Sequence, residues 1–236
     1  MKFQIITTQP SIFDSFFKTG LIARGIDRKI IEIKIHNLHD YSFDKHKSID
    51  DSPYGGGAGM VLRVDVMANA LAKLKNKNSQ PPSGTQAGRP RAEKFKTILL
   101  TPQGKKFTQK DAKRLAKEKN LILISGRFEG YDERIRDLAD EEISIGDYVL
   151  TSGDLPAIVL IDVISRQIPG FIDRKESVQE ESFNNNLLEY PQYTRPFEFK
   201  SEKVPKILLS GNHQRISDWR KSESIKRTKK RRPDLF

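Results

Sequence analysis

Along the first third of the chain, apolar positions change their period twice. Residues 3–7 (FQIIT) form a short, nearly continuous apolar run that predicts a buried strand. Ser11 with Asp14 three residues on has the spacing of a capping box, and Ile12, Phe13, Phe16, Phe17 and Leu21 recur at helical intervals. A helix is expected there, closed by Gly25. Residues 30–36 (IIEIKIH) alternate well enough for a second strand, and residues 64–74 read as a short amphipathic helix.

Then the composition changes. Residues 76–90 (NKNSQPPSGTQAGRP) offer almost nothing to bury and are expected to be a disordered insertion. Beyond them the pattern predicts a strand at 97–101, a helix from Thr108 to about Lys119, a strand at 121–125, a helical stretch near 132–139 and an apolar segment at 157–164. Strands alternating with helices imply a mainly parallel α/β sheet. From Glu176 onward Asn-rich and Pro-rich punctuation breaks the pattern. The expected organisation is a domain over 1–172, a linker over 173–186 and a small, basic helical domain over 187–236. No internal repeat is visible.

With 236 residues, the chain is long enough for one large domain or a medium domain with a small appendage. It contains no Cys, which excludes disulfides, thiolate metal sites and a cysteine nucleophile. No apolar run approaches the roughly 20 residues of a membrane-spanning helix, and the start, MKFQIITTQP, lacks the apolar stretch of a secretory leader. A cytoplasmic protein without a membrane partner is expected.

The net charge of +11 is unevenly spread. Residues 75–96 carry six basic side chains against Glu93, and residues 211–236 carry nine against Asp218, Glu223 and Asp234. Those two stretches hold +5 and +6, so the rest of the chain is balanced. That distribution favours a polyanionic partner bound through phosphates, although a solvated tail carries the same signature.

Ligands of parallel α/β sheets bind beyond the carboxyl ends of strands, so the loops after apolar runs are where chemistry is sought. Three stand out: TPQGKK from Thr101, GRFEGYDER from Gly126 and SIGDYVLTSGDLPA from Ser144. None matches the glycine fingerprints of dinucleotide-binding or P-loop proteins, which removes those classes. An earlier loop, DDSPYGGGAGM from Asp50, is a hinge or a place where backbone approaches a ligand closely. His36, His39 and His46 with Asp40 and Asp44 fit no zinc spacing. From the residues alone, the chain is a basic α/β ligand-binding protein that meets nucleic acid.

These loops, in this order, resemble the bacterial tRNA (guanine-N1) methyltransferases, which modify guanosine at position 37 beside the anticodon. The likeness extends through LIDVISRQIPG, ESFNNNLLEYPQYTRP, LLSGNH and the terminal RRPDL, nearly the whole chain. It implies a SPOUT-type fold, in which a trefoil knot in the parallel-sheet domain holds S-adenosylmethionine. It also implies a homodimer with the active site at the interface and a C-terminal helical domain that grips tRNA.

Carried over by position, Leu99, Leu100, Pro102, Gly126, Glu129, Ser144, Ile145, Gly146, Tyr148, Leu150, Gly153 and Pro156 would form the cofactor pocket. Asp50 and Gly59 match residues that hold the target guanine. Arg166 would stabilise charge growing on guanine O6, and Glu181 would be the general base. Mg2+ is expected near Glu129 and the catalytic carboxylate.

The chain departs from the family at four of these places. Leu99 and Phe128 stand where Tyr is frequent, Ser152 where Gly is frequent, and Glu181 where Asp is usual. Two other readings share part of the pattern: a knotted ribosomal RNA methyltransferase, which would not need the block from Glu181 to Pro196, and a non-catalytic RNA-binding protein.

Overall fold

A computed structural model describes residues 1–77, 94–173 and 181–236. The expected insertion therefore lies almost wholly outside the described residues, as do residues 174–180 of the expected linker. The chain divides into two compact units, Met1–Ile172 and Asp173–Phe236.

Five parallel strands form the sheet of the first unit: β1 (Lys2–Thr7), β2 (Glu32–Asn37), β5 (Lys96–Lys106), β6 (Asn120–Ser125) and β7 (Glu141–Ser144), in the order β2-β1-β6-β5-β7. Two shorter strands, β3 (Asp50–Asp51) and β4 (Val61–Leu62), pair as a separate antiparallel ribbon. Alternate residues of the central strands enter two different cores. Phe3, Ile5, Ile98, Leu100, Leu121 and Leu123 face one side; Ile6, Leu99, Ile122 and Ile124 face the other. Helices cover both sides, and for that reason these strands read as continuous apolar runs.

On the first face lie α2 (Gly20–Asp27), α4 (Gln109–Leu115) and α5 (Asp154–Ser165), behind a short α1 (Asp14–Phe17). On the second lie α3 (Val64–Lys77) and the 3₁₀ helix Glu133–Leu138. The start of α4 is the capping box of Thr108 and Asp111, whose side chains each accept the other's backbone N–H.

Several elements differ from the sequence expectation. The single helix from Ser11 is a 3₁₀ turn (Pro10–Phe13) followed by α1 and α2, with no side-chain cap; a left-handed Gly20 (φ +63°) turns the chain between them. Gly25 lies inside α2 rather than ending it. A Cβ there would stand 2.4 Å from the ring of Phe171, so close packing explains this glycine. TPQGKK is not a free loop: β5 bulges after Leu100 and pairs with β7 again at Lys105 and Lys106. The helix after Thr108 is shorter than expected, because the chain must enter β6 at Asn120. β7 had no expectation at all; α3 runs to Lys77, two residues into the expected insertion.

In the second unit, the 19-residue α6 (His213–Arg231) is capped by Asn212, whose side chain accepts the Arg215 N–H at 3.0 Å. Leu188 is held to α6 through its carbonyl, which accepts from Ser224 Oγ at 2.5 Å, and through its N–H, which donates to Thr228 Oγ1 at 2.8 Å. A two-strand hairpin, β8 (Glu198–Phe199) with β9 (Glu202–Lys203), precedes the helix. No helix among the described residues is long and apolar enough to cross a membrane.

Candidate active site

β6 lies on one side of β5 and β7 on the other, so the chain reverses its direction across the sheet at β5. The crevice beyond such a reversal is where an open parallel sheet receives a ligand. A cleft opens there, walled by the β5 bulge at Leu100, Thr101 and Pro102, by the loops after β6 and β7 and by the first turn of α5.

The cleft gathers eleven of the twelve residues expected to hold the cofactor: Leu100, Pro102, Gly126, Glu129, Ser144, Ile145, Gly146, Tyr148, Leu150, Gly153 and Pro156. Leu99 is the exception. Its side chain is fully buried in the core beneath α3, because strand alternation turns it away from Leu100.

Close backbone contact shapes the cleft floor. The Gly153 N–H donates to the Gly126 carbonyl at 2.8 Å, and a Cβ on Gly153 would stand 2.9 Å from the Gly126 nitrogen. A Cβ on Gly126 would stand 2.2 Å from the Tyr131 ring. Tyr131, which the sequence reading passed over, donates its hydroxyl to the Leu100 carbonyl at 2.9 Å. Burial pushes its phenol well above the ordinary range. One side chain thus ties the bulge of β5 to the loop after β6.

Beneath Gly153, buried Asp154 accepts from Thr7 Oγ1 at 2.7 Å and Ser125 Oγ at 2.5 Å, fastening α5 to β1 and β6. Ser144 Oγ bonds the Gly146 backbone from both sides, accepting from its N–H at 3.2 Å and donating to its carbonyl at 2.9 Å. Phe128, Tyr148 and Val149 stand exposed around the mouth. Tyr131 and Thr151 lie inside two of the loops singled out from the sequence without being picked as site residues, and Ile143 lies in β7, which had no sequence signal.

The loop from Asp50 joins this rim. The Glu129 N–H donates to the Met60 carbonyl at 3.0 Å, and the Leu62 N–H to the Gly130 carbonyl at 3.1 Å. Gly59 (φ +78°) sits so close to Glu129 that a Cβ would stand 2.4 Å from Glu129 Cγ. Asp50, half-buried, pairs across the ribbon with Leu62.

Arg166 caps the far end of α5. It lies about 15 Å along the helix from Pro156, more than its own side chain spans. Glu181 belongs to the second unit, where it borders a cleft with Asn184, Tyr190, Arg220 and Lys221. Two of the histidines that fit no zinc spacing have structural partners: His36 bridges Gln4 Oε1 and Tyr41 Oη, and His39 Nδ1 meets the Lys47 carbonyl. No group of three metal-ligating side chains occurs among the described residues.

Fold and cleft define a class: an α/β enzyme that holds a small ligand against backbone at the carboxyl ends of parallel strands, with a basic appended unit. The family model described as tRNA (Guanine-1)-methyltransferase TrmD matches residues 1–236. Curated tRNA (guanine-N(1)-)-methyltransferases are similar over 100% of this chain: 49% identical in Clostridium novyi, covering 91% of that protein. The one from Clostridioides difficile is 47% identical, covering 97% of its length. The one from Citrifermentans bemidjiense is 47% identical, covering 90%. The chain belongs to the tRNA (guanine-1) methyltransferase family, and its activity is methyl transfer from S-adenosylmethionine to a tRNA guanosine.

Proposed function

We propose that this enzyme methylates N1 of guanosine 37 in tRNA, using the cleft at β5, β6 and β7 for the cofactor, Arg166 for the developing oxyanion and Glu181 as general base. The observation that carries the reading is the convergence of eleven expected cofactor residues on one cleft.

The cleft suits S-adenosylmethionine chemically. Leu100, Ile143, Ile145, Leu150 and Pro156 supply apolar wall, while Gly126 and Gly153 leave main chain bare on its floor. When bound, the cofactor supplies an electrophilic methyl group on a sulfonium. The rest of the chemistry falls to the protein. Guanine N1 bears a proton at neutral pH, so Glu181 takes it as the N1 electron pair closes on the methyl carbon. The charge that grows on O6 meets the Arg166 guanidinium. Asp50 and Gly59 hold the guanine. Glu129 and Glu181 offer the oxygen ligands a magnesium ion prefers, and no catalytic step is assigned to it.

One face of α5 supports a homodimer. Leu155, Val159, Asp162 and Arg166 recur every three or four residues and share one helix face, on which Leu155 and Val159 are exposed. On this reading a second copy covers those apolar residues and takes Arg166 toward its own cleft, since Arg166 lies too far along α5 to serve the cleft of its own chain. A trefoil knot fits the chain path: after β6 the chain passes to the far side of β5, forms β7, and returns to put Gly153 on Gly126. Ordinary folds avoid such crossings.

On this reading the first unit is the knotted methyltransferase domain, 173–186 the linker, and 187–236 the tRNA-binding domain, with the cytoplasm as the site of action. The deciding experiment incubates the enzyme with methyl-labelled cofactor and a tRNA bearing guanosines at 36 and 37, beside one lacking guanosine 37. Label in the first RNA alone supports the proposal; label in neither, or in both equally, rejects it.

A further inference from the structure

Among the described residues Tyr54 is the most exposed large hydrophobic side chain: it stands fully in solvent at the tip of the loop running from Asp50 to Met60. An aromatic ring so placed normally finds cover within its own fold. Here the neighbours deny it any. Gly55 and Gly56, with φ of +87° and +77°, follow directly, and nothing lies within 4 Å of where a Cβ would stand on either. Neither glycine carries a side chain that could cover the ring.

The base of the same loop is fixed. Gly59 lies against Glu129, the Met60 carbonyl takes the Glu129 N–H at 3.0 Å, and the Arg63 N–H donates to the Ile49 carbonyl at 2.9 Å. An uncovered ring thus projects from a loop anchored on the rim of the cleft. A bare aromatic face on the rim of a reaction cleft is the chemistry that receives an unstacked base.

We infer that Tyr54 is a positioning residue whose ring stacks on an RNA base neighbouring the target guanosine, keeping that guanosine out of the anticodon-loop stack and over the cleft. The inference rests on the tRNA substrate proposed above. Stacking asks only for a π face, so it is tolerant of which base arrives, and the phenol hydroxyl takes no part.

The test compares Tyr54→Ala, Tyr54→Leu, Tyr54→Phe and Tyr54→Trp in the full-length enzyme. It measures kcat/KM for tRNA, S-adenosylmethionine affinity by calorimetry, and oligomeric mass. Tyr54→Ala is expected to lose about tenfold to a hundredfold in kcat/KM for tRNA, chiefly through KM, with cofactor affinity and mass unchanged. Tyr54→Phe and Tyr54→Trp should restore it, whereas Tyr54→Leu, apolar but without a π face, should not.

Rescue by Leu, failure of Phe, an unaltered Ala variant, or loss of cofactor binding or of assembly in the Ala variant would each overturn the inference. If wild type itself fails to methylate the guanosine-37 substrate, the proposed function fails instead, so the two are separable.

Discussion

The Gly126 carbonyl accepts the Gly153 N–H at 2.8 Å, joining residues 27 positions apart at the floor of the cleft. Neither position has room for a side chain: Gly153 is pressed against the Gly126 backbone and Gly126 against Tyr131. The cleft is thus built by the close approach of two loops, which a methyl group at either would prevent.

Gly126→Ala is accordingly expected to destabilise the first unit by about 1–3 kcal/mol, the usual cost of overpacking, and to weaken cofactor binding. Because the clash is with the Tyr131 ring, Tyr131→Ala in the same chain should recover part of the lost affinity. Thermal unfolding and calorimetric titration of the single and double variants measure both effects. Equal defects in the two would show that the ring is not the obstacle.

Arg166→Ala should lower the rate of methyl transfer about a hundredfold to a thousandfold, the scale for removing an oxyanion-stabilising donor. Cofactor affinity should stay within a few-fold of wild type, since Arg166 lies far along α5 from its own cleft. Single-turnover rates beside titration of cofactor separate the two quantities. Parallel loss of both would assign Arg166 a structural part.

Glu181→Gln keeps the shape and removes the basic oxygen, so turnover should fall about a hundredfold to ten-thousandfold while tRNA binding persists. Glu181→Asp should remain active, because it keeps the carboxylate and shortens its reach by one methylene. An active Gln variant would dismiss this residue as the base.

Salt sensitivity should report on α6. Replacing Lys230 and Arg231 by Ala is expected to weaken tRNA binding and to reduce the slope of log affinity against log salt by about 2, if each neutralises one phosphate. Filter binding at several salt concentrations gives that slope. A parallel line of lower affinity would exclude direct phosphate contact.

Asp111 supplies a pH dependence. Burial alone would raise its pKa, but hydrogen bonds from Lys105, Thr108 and Arg114 outweigh burial and hold it at about 2, against 3.8 unperturbed. A depressed carboxyl pKa contributes stability that is complete above the unfolded value and disappears as pH falls toward the folded one. The contribution is about 2 kcal/mol near neutrality. Asp111→Asn should cost that much at pH 7, and the gap from wild type should close between about pH 4 and pH 2. Urea denaturation across that range reads it directly.

Where sequence signals were local, they were legible. Thr108 with Asp111 announces the start of α4, and the apolar runs at Ile98 and Leu121 announce strands covered on both faces, because capping and burial depend on neighbours in the chain. Glycine was harder to read. Gly25 resembles a helix stop, yet Phe171 occupies the space of its side chain; the loop of Gly59 reads as a hinge or a close approach to a ligand, and that glycine combines a positive φ with the nearness of Glu129. β7 was invisible because EEIS is short and begins with two acids, one of which, Glu141, is held by Lys96 and Arg114.

The sequence by itself determined the alternation of strands and helices, the basic C-terminal stretch and, through its ordered blocks, the family. Each is carried by residue type and spacing, which need no folded chain to be read. Only the tertiary structure decided that three loops far apart in sequence share one cleft, that Leu99 faces a core while Leu100 faces the cleft, and that Tyr131 ties β5 to the loop after β6. Those facts follow from strand order and from backbones meeting at van der Waals distance. Such distances arise only when the sheet is assembled.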